Sequence, residues 1–489
     1  MFLRAIEDVR ALFSPFNATF SGLGMTAFSR IIPGYFLASY HIIALRNTRD
    51  LPTLRKDRGI FCLEEAVPLL AGKVMNSADL LAHPAVKGFL KRLPHPKYLL
   101  LYQNYPELEI VAKQEGWNLL ANPASLRIRV AERAFFEEMV AELDLPLIPG
   151  RIHSVEEIHK RPYKYWAETL GPRFVVQLPD IAQGGGKGTF FVRLPGEYRR
   201  LQRRLKDNTW RGVELRRASV RTFVEGDPVS MALCLTRHGV LFTRLQRQLM
   251  DLPYCGHLPE DGVFCGHAWD ERPWPSTLAD DARTMALKIG KYLAAMGYKG
   301  IFGVDFIIEK GERRIYPVEI NPRFTGAFPM LSQLHIGKGL IPLEAFHILE
   351  FLDLPYEIEV ERLNALYWRP LSGSHLILFL PPFLKKTVVH RLQAGLHECS
   401  HDGKSISFIK GAANYSEIGN ERQFILIDGP PDLSQAASLS GPAGEPPTAG
   451  DPHQRLCRLL FSYPVLDEEG LLRPHAAQAI DWVYGMIGA

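Results

Sequence analysis

Two carboxylates and an amide fall at strand spacing in Ile301 to Arg323, IFGVDFIIEKGERRIYPVEINPR. Val304 to Glu309 reads as one strand carrying Asp305, Lys310 to Arg313 as a polar turn containing a glycine, and the second strand starts at Ile315. Side chains alternate along a strand, so Glu319, Asn321 and Arg323 share a face. Directly opposed residues point the same way, and a slip of one residue would separate Asp305 from Glu319. Bringing them together requires an odd-length loop or a bulge near Pro317, which has no N–H to give the ladder. Two acids held side by side repel unless a cation lies between them. Hard oxygen donors of this kind suit Mg²⁺, or Mn²⁺, bound together with substrate phosphates. On spacing alone, a solvated hairpin ended by Asn-Pro accounts for the same residues.

A second motif, Phe174 to Leu194, reads as strand, glycine loop and strand. Gly184, Gly185, Gly186 and Gly188 let backbone N–H groups approach an anion, and Lys187 adds a charge. An ordinary hairpin loop is the other reading. Gly188 rather than Ser or Thr follows Lys187, and the β-prone Thr189-Phe-Phe-Val comes next. Nucleotide loops that open a helix are therefore a poor match.

The run GVDFIIE followed by YPVEINPRFTG resembles the metal-binding hairpin of the ATP-grasp superfamily, carboxylate:amine ligase-like enzymes with a core of the biotin carboxylase and D-alanine:D-alanine ligase type. The resemblance implies that Asp305, Glu319 and Asn321 hold the metal, and that Arg323 stabilises phosphate or acyl charge. It likewise implies a lid whose loop, with Gly185, Gly186, Lys187 and Gly188, closes over ATP. The family's phosphate-binding lysine before that loop aligns with Gln177 here. Lys187 could supply the missing charge, as could Arg133, near the start of a predicted helix Arg129 to Leu143. Ala218 to Leu235 resembles the hinge between lid and core. By position the backbone groups of Thr222 and Val224 would meet the adenine, and Glu225 the ribose. Arg221 stands where the family often has an acid.

The implied fold is α/β (α+β). A pre-ATP-grasp open α/β domain spans residues 1–125, and the ATP-grasp domain 126–350, with its lid at about 150–222. A C-terminal α+β domain, 351–489, contains a mobile loop at 429–452 rich in Pro, Gly, Ser and Ala. Short strands at Tyr40 to Ala44, Gly59 to Leu63 and Lys97 to Gln103 alternate with helical segments, as an open α/β layer would. Helices are expected at Val155 to Leu170, Asp280 to Met296 and Ala476 to Ile487, and later strands at Leu376 to Leu380 and Phe424 to Ile427.

At 489 residues, 46% hydrophobic and 22% charged, the chain is globular and long enough for about three domains. A net charge of +4 without a long basic run gives no reason to expect a nucleic-acid partner. Six scattered cysteines form no disulfide framework, and the sequence shows no secretory signal, so a cytoplasmic location is expected. The apolar stretch Ile31 to Leu45 is interrupted by Pro33, Gly34 and His41 and is too short to span a bilayer. Cys255, His257, Cys265 and His267 could in type form a tetrahedral zinc set, or a plain loop beside the acceptor site.

The chemistry implied is that of an ATP-dependent ligase. A carboxylate is activated as an acyl phosphate and joined to an amine or amino-acid nucleophile, releasing ADP and phosphate. The alternatives are a bicarbonate-phosphorylating, carboxylase-type enzyme, and an ATP-binding regulatory protein that has lost catalysis, suggested by Gln177 and Arg221.

Overall fold

A computed structural model describes residues 1–71, 73–180, 188–210, 212–256, 262–270, 274–311, 314–381, 392–402, 405–431 and 455–487. The fold is mixed α/β, with one parallel sheet and, all antiparallel, a two-stranded, a four-stranded and one large sheet. Among the described residues no helix is long and apolar enough to cross a membrane.

The N-terminal region alternates strands with helical segments and builds five strands: β1 (Thr19–Gly24), β2 (Tyr40–Ala44), β3 (Gly59–Cys62), β4 (Lys97–Leu100) and β5 (Asn118–Leu120). All pair in parallel in the order β3-β2-β1-β4-β5. The central β1 is buried along its whole length, as a parallel strand covered on both faces must be. The strand order reverses at β1, which opens a crevice at the carboxyl ends of β1 and β4.

Next comes a four-stranded antiparallel unit of β6 (Gly150–Ser154), β7 (Phe174–Gln177), β8 (Thr189–Val192) and β11 (Arg217–Thr222), in the order β6-β11-β7-β8. A small hairpin, β9 (Thr209–Trp210) with β10 (Val213–Glu214), precedes its last strand. Phe174, Val176, Val192 and Val220 bury one face of this unit, the expected lid, against Ile158, Trp166, Tyr198 and Leu201 of its helices. The expected helix Val155 to Leu170 is two helices, Val155–Lys160 and Tyr163–Leu170. Pro162 interrupts it, because the residue before a proline is driven out of the helical region, and Arg161 is extended at ψ 133°.

The remaining strands form one eleven-stranded sheet. They are β12 (Gly226–Thr236), β13 (Gly239–Phe242), β14 (Gln246–Met250), β15 (Phe264–Trp269), β16 (Gly300–Glu309), β17 (Ile315–Asn321), β18 (Gly373–Phe379), β19 (Gly395–Cys399), β20 (Ile406–Lys410), β21 (Gln423–Ile427) and β22 (Arg455–Phe461). The order runs β17-β16-β12-β14-β15-β18-β22-β21-β19-β20, with β13 beside β12. Strands from residues 351–489 thus continue the sheet that carries the acid hairpin.

Alternation along β16 decides what faces the site. Phe302, Val304, Phe306 and Ile308 pack with Val229, Met231 and Leu233 of β12 under the helix Ser276–Ala295, while Asp305 is turned to the opposite face. That helix buries Leu278, Ala282, Met285, Ile289 and Leu293 at helical spacing, and Gly297, at φ 82°, ends it.

The segment 429–452 was expected to be mobile; of it, 432–452 lies outside the described residues.

Candidate functional site

The hairpin solves its register problem with the bulge that the sequence requires. Asp305 pairs with Glu319, but Phe306 pairs with Pro317, so Val318 is the extra residue. Asp305 and Glu319 therefore share a face. The Asn321 amide nitrogen donates to Asp305 Oδ2 at 3.0 Å and to Glu319 Oε1 at 3.1 Å. Arg323 Nη2 donates to Asn321 Oδ1 at 2.7 Å, which completes the four-residue group.

The electrostatics follow from burial and like charge. Burial, and then the neighbouring Glu319 carboxylate, push the Asp305 carboxyl well above the usual range. Gln248 and Arg323 face it and act in the opposite sense. Burial works against the Arg323 charge, yet Tyr102, Glu319 and Asp305 outweigh it, and the guanidinium pKa is raised. The Asn321 amide N–H groups lie between the two acids, where a hard cation would neutralise them, and its oxygen would have to turn inward to join them as a ligand. The donor set is thus the right chemistry for Mg²⁺.

Arg133 is the first residue of the helix Arg133–Glu142. The predicted helix from Arg129 is broken at Glu132, which is extended at ψ 134°, so a separate helix, Ala124–Ala131, precedes it. Arg133 Nη1 donates to the Val318 carbonyl at 2.6 Å and Nε to Glu137 Oε1 at 3.0 Å. Glu137 also pairs with buried Arg221, whose Nη1 donates to the Ile148 carbonyl at 2.6 Å. Burial, followed by nearby Arg221, lowers the Arg133 pKa. Arg133 thus clamps the bulge from behind, and Arg221 is tied into the base of the lid.

Of the other residues singled out, Gln177 ends β7 opposite Thr189, on the face of the lid away from its helices. Gly188 donates no described contact to the site, although its carbonyl accepts from the Leu178 N–H at 2.8 Å. Gly184, Gly185, Gly186 and Lys187 lie outside the described residues. The Thr222 N–H donates to the Pro149 carbonyl at 2.9 Å, whereas Val224 lies between β11 and β12 in the hinge. Glu225 is exposed and pairs with Arg173 at 3.0 Å.

Cys265 packs in an apolar cluster with Cys255, Leu249 and Leu376, while His267 shares a 3.1 Å hydrogen bond with His375. An irregularity in the β14–β15 pairing at Leu249/Met250 accompanies this divergence. His257 lies outside the described residues, and among those described no group of three His, Cys, Asp or Glu is placed to hold a metal.

Sequence reasoning missed a polar row that continues from the hairpin across the sheet. Asp305 pairs with Ser230, Ser230 with Gln246, Gln248 with His267, and His267 with His375. Gln246 Nε2 donates to Ser230 Oγ at 3.0 Å, and Arg458 Nη1 to His375 Nδ1 at 3.2 Å. Arg458 pairs in turn with Asp428 at 3.1 Å, and Asp428 accepts from the Thr26 hydroxyl beyond β1. Burial, then Arg458, holds His267 down at about 3, and His375 is also well below its ordinary value for the same reasons. Both rings are neutral at pH 7. His375 accepts from Arg458 at Nδ1, so its Nε2–H donates to His267 Nδ1. The paired glutamines Gln246 and Gln248, two residues apart and so on one face of a strand, were the one local signal for this row.

The parallel sheet meets the site through Tyr102, just past β4. Arg323 Nη1 donates to its hydroxyl at 2.7 Å, and the Phe324 N–H donates to its carbonyl at 3.1 Å. The acid hairpin therefore abuts the crevice at the carboxyl ends of β1 and β4.

Comparison with known proteins gives a consistent placement. Residues 184–327 match the ATP-grasp domain family. A formate-dependent phosphoribosylglycinamide formyltransferase of Nitratidesulfovibrio vulgaris (strain DP4) is 28% identical over 264 residues, 51% of this chain and 59% of that protein. The chain thus spans under two thirds of that relative's length. Among solved structures, the biotin carboxylase domain of Hydrogenobacter thermophilus 2-oxoglutarate carboxylase, in complex with MgADP, ADP and bicarbonate, shares 12% identity. It superposes at a TM-score of 0.56 over 91% of this chain and 86% of that one. Carboxyaminoimidazole ribonucleotide synthase from Aspergillus clavatus, complexed with ATP, gives 0.51 at 14% identity over 96% and 99%. The family match spans the glycine loop, the strands β11 and β12 and the acid hairpin in that order, so residues 184–327 are identified as an ATP-grasp domain.

Proposed function

We propose that this protein is an ATP-dependent ligase that activates a small carboxylate by phosphoryl transfer and passes the acyl group to an amine. The observation that carries the reading is the shared face of Asp305 and Glu319, closed by Asn321 and Arg323 and opening toward the crevice at β1 and β4. Bound Mg²⁺ would neutralise charge on the phosphates, with Asp305, Glu319 and Asn321 as its protein ligands. Arg323, held by Tyr102 and Asn321, would orient the acyl oxygen and stabilise the negative charge that develops there. The lid would exclude water, which an acyl phosphate requires to survive until aminolysis. The amine, in the crevice, would then attack the acyl carbon and release phosphate.

The formate-dependent formyltransferase similarity supports a small acid as the activated group, and the ligand-bound structural neighbours support ATP and Mg²⁺ as the nucleotide and metal. A second reading, a nucleotide-binding protein without turnover, draws on Arg221 committed to Glu137 and on Gln177 in place of a phosphate-binding lysine. The two are separated by measuring ADP release from ATP and Mg²⁺ by the purified protein across pools of small carboxylates and amines. A ligase releases ADP only when both partners are present, and Glu319→Gln abolishes that release. Binding of ATP without ADP release in any pool would favour the second reading.

A further inference from the structure

The lid carries a second charged feature, on the side away from the hairpin. Residues 150–222 hold 16 Lys and Arg against 7 Asp and Glu, while the rest of the chain holds 41 against 46. Six of the cations in this segment pair with acids inside it: Lys160 with Glu156, Lys164 with Glu168, Arg193 and Arg200 with Glu197, Arg216 with Glu214, and Arg217 with Asp180. Arg199, Arg203 and Lys206 have no acidic partner among the described residues. They line one depression of about 570 Å³ together with His159 and Gln202, and no carboxylate lines it.

The fold explains why these groups converge. Tyr198, Leu201 and Leu205 turn the helix Pro195–Arg204 onto the lid sheet, which leaves Arg199 and Arg203, one turn apart, on its outer side. Gln202 is fixed by donating to the Ile158 carbonyl at 2.8 Å, and His159 Nε2 by Asn208 at 3.1 Å. The opposite face of the sheet is turned to the core, with Arg221 on Glu137 and Phe191 against Gly262. The depression is therefore separate from the nucleotide side. A helix C-terminus favours cations, which accounts for Arg203 and Lys206 but not for Arg199 a turn upstream. Like charges at this spacing repel and weaken the helix unless an anion neutralises them.

We propose that this depression binds a small polyanion bearing at least two phosphate or carboxylate groups. Arg199 and Arg203 stand one helical turn, about 6 Å, apart on the helix Pro195–Arg204, and Lys206 lies past its end, so the cations are spread more widely than a single phosphate. The cations are confined to one shallow depression and do not run on as a track, which suits a small ligand better than an extended polymer.

The test is calorimetric titration of the full chain with pyrophosphate and with inositol hexakisphosphate. A saturating non-hydrolysable ATP analogue and Mg²⁺ fill the nucleotide site throughout. One equivalent should bind, with affinity falling as salt rises. Arg199→Gln/Arg203→Gln should weaken it at least tenfold and leave analogue binding unchanged, while Glu319→Gln should leave polyanion binding unchanged. Arg199 and Arg203 are both exposed, and a thermal melt of the double variant and its two single variants checks each fold. Equal binding by the double variant, or none by the wild type, would overturn the proposal. So would much tighter binding of heparin, because it would mark the surface as a polymer track.

Discussion

The Arg133 guanidinium donates to the Val318 carbonyl at 2.6 Å, so the helix before the lid holds the one bulged residue of the acid hairpin. The bulge is what turns Asp305 and Glu319 to the same side. Arg133 therefore acts on the proposed metal site through backbone geometry.

Arg133→Met removes this clamp, together with the guanidinium that lies over the Phe136 ring. Mg²⁺-dependent nucleotide affinity should fall by roughly 10- to 100-fold, the range for loss of a group that orients ligands. Binding measured without Mg²⁺ should change less, and an equal loss under both conditions would instead indicate a direct phosphate contact.

Much of this hairpin was legible because its constraint is local: alternation, one proline and two acids leave only a bulge or an odd loop. Helix lengths were less legible. Arg129 to Leu143 keeps a helical apolar pattern across Glu132, yet the chain turns there so that Arg133 can reach Val318. The polar row was out of reach of sequence reasoning, because Gln248, His267, His375 and Arg458 come from four strands joined only by sheet topology. The C-terminal strands gave no hint that they extend the same sheet, since edge pairing is a tertiary choice.

Metal binding should depend on pH through Asp305. Its raised pKa keeps the carboxyl protonated to higher pH, and a cation needs the carboxylate, so Mg²⁺ affinity should rise with pH and binding should release a proton. Calorimetry in buffers of different ionisation enthalpy measures that proton. In the metal-free protein the same raised pKa costs stability as pH increases, so Asp305→Asn should raise the melting temperature at pH 8 while removing Mg²⁺-dependent nucleotide binding.

Glu344, on the helix Leu343–Leu352, offers a second pH test outside the acid hairpin. It is 3% exposed, Ser332 Oγ donates to it at 2.8 Å, and burial raises its pKa to about 7. Because the folded value lies above the unfolded one, its contribution is full below the unfolded pKa and is lost as pH rises through about 7. Glu344→Gln should therefore gain on the wild type between pH 5 and pH 8, by roughly 2 to 3 kcal/mol in chemical denaturation. A constant difference across that range would contradict the assignment.

Arg458 and Asp428 form a buried pair that links β22 to Thr26 beyond β1. Arg458→Met strands the Asp428 carboxylate and should cost about 3 to 5 kcal/mol. Adding Asp428→Asn should recover part of that loss, and a double-mutant cycle in denaturant measures the coupling.

The central claim is that Asp305, Glu319 and Asn321 form a Mg²⁺ site for a nucleotide. Its most direct test is calorimetric titration of wild type and Glu319→Gln with a non-hydrolysable ATP analogue, with and without Mg²⁺. The account predicts tighter binding with Mg²⁺ in the wild type and loss of that enhancement in the variant. An undiminished Mg²⁺ enhancement in Glu319→Gln would contradict it.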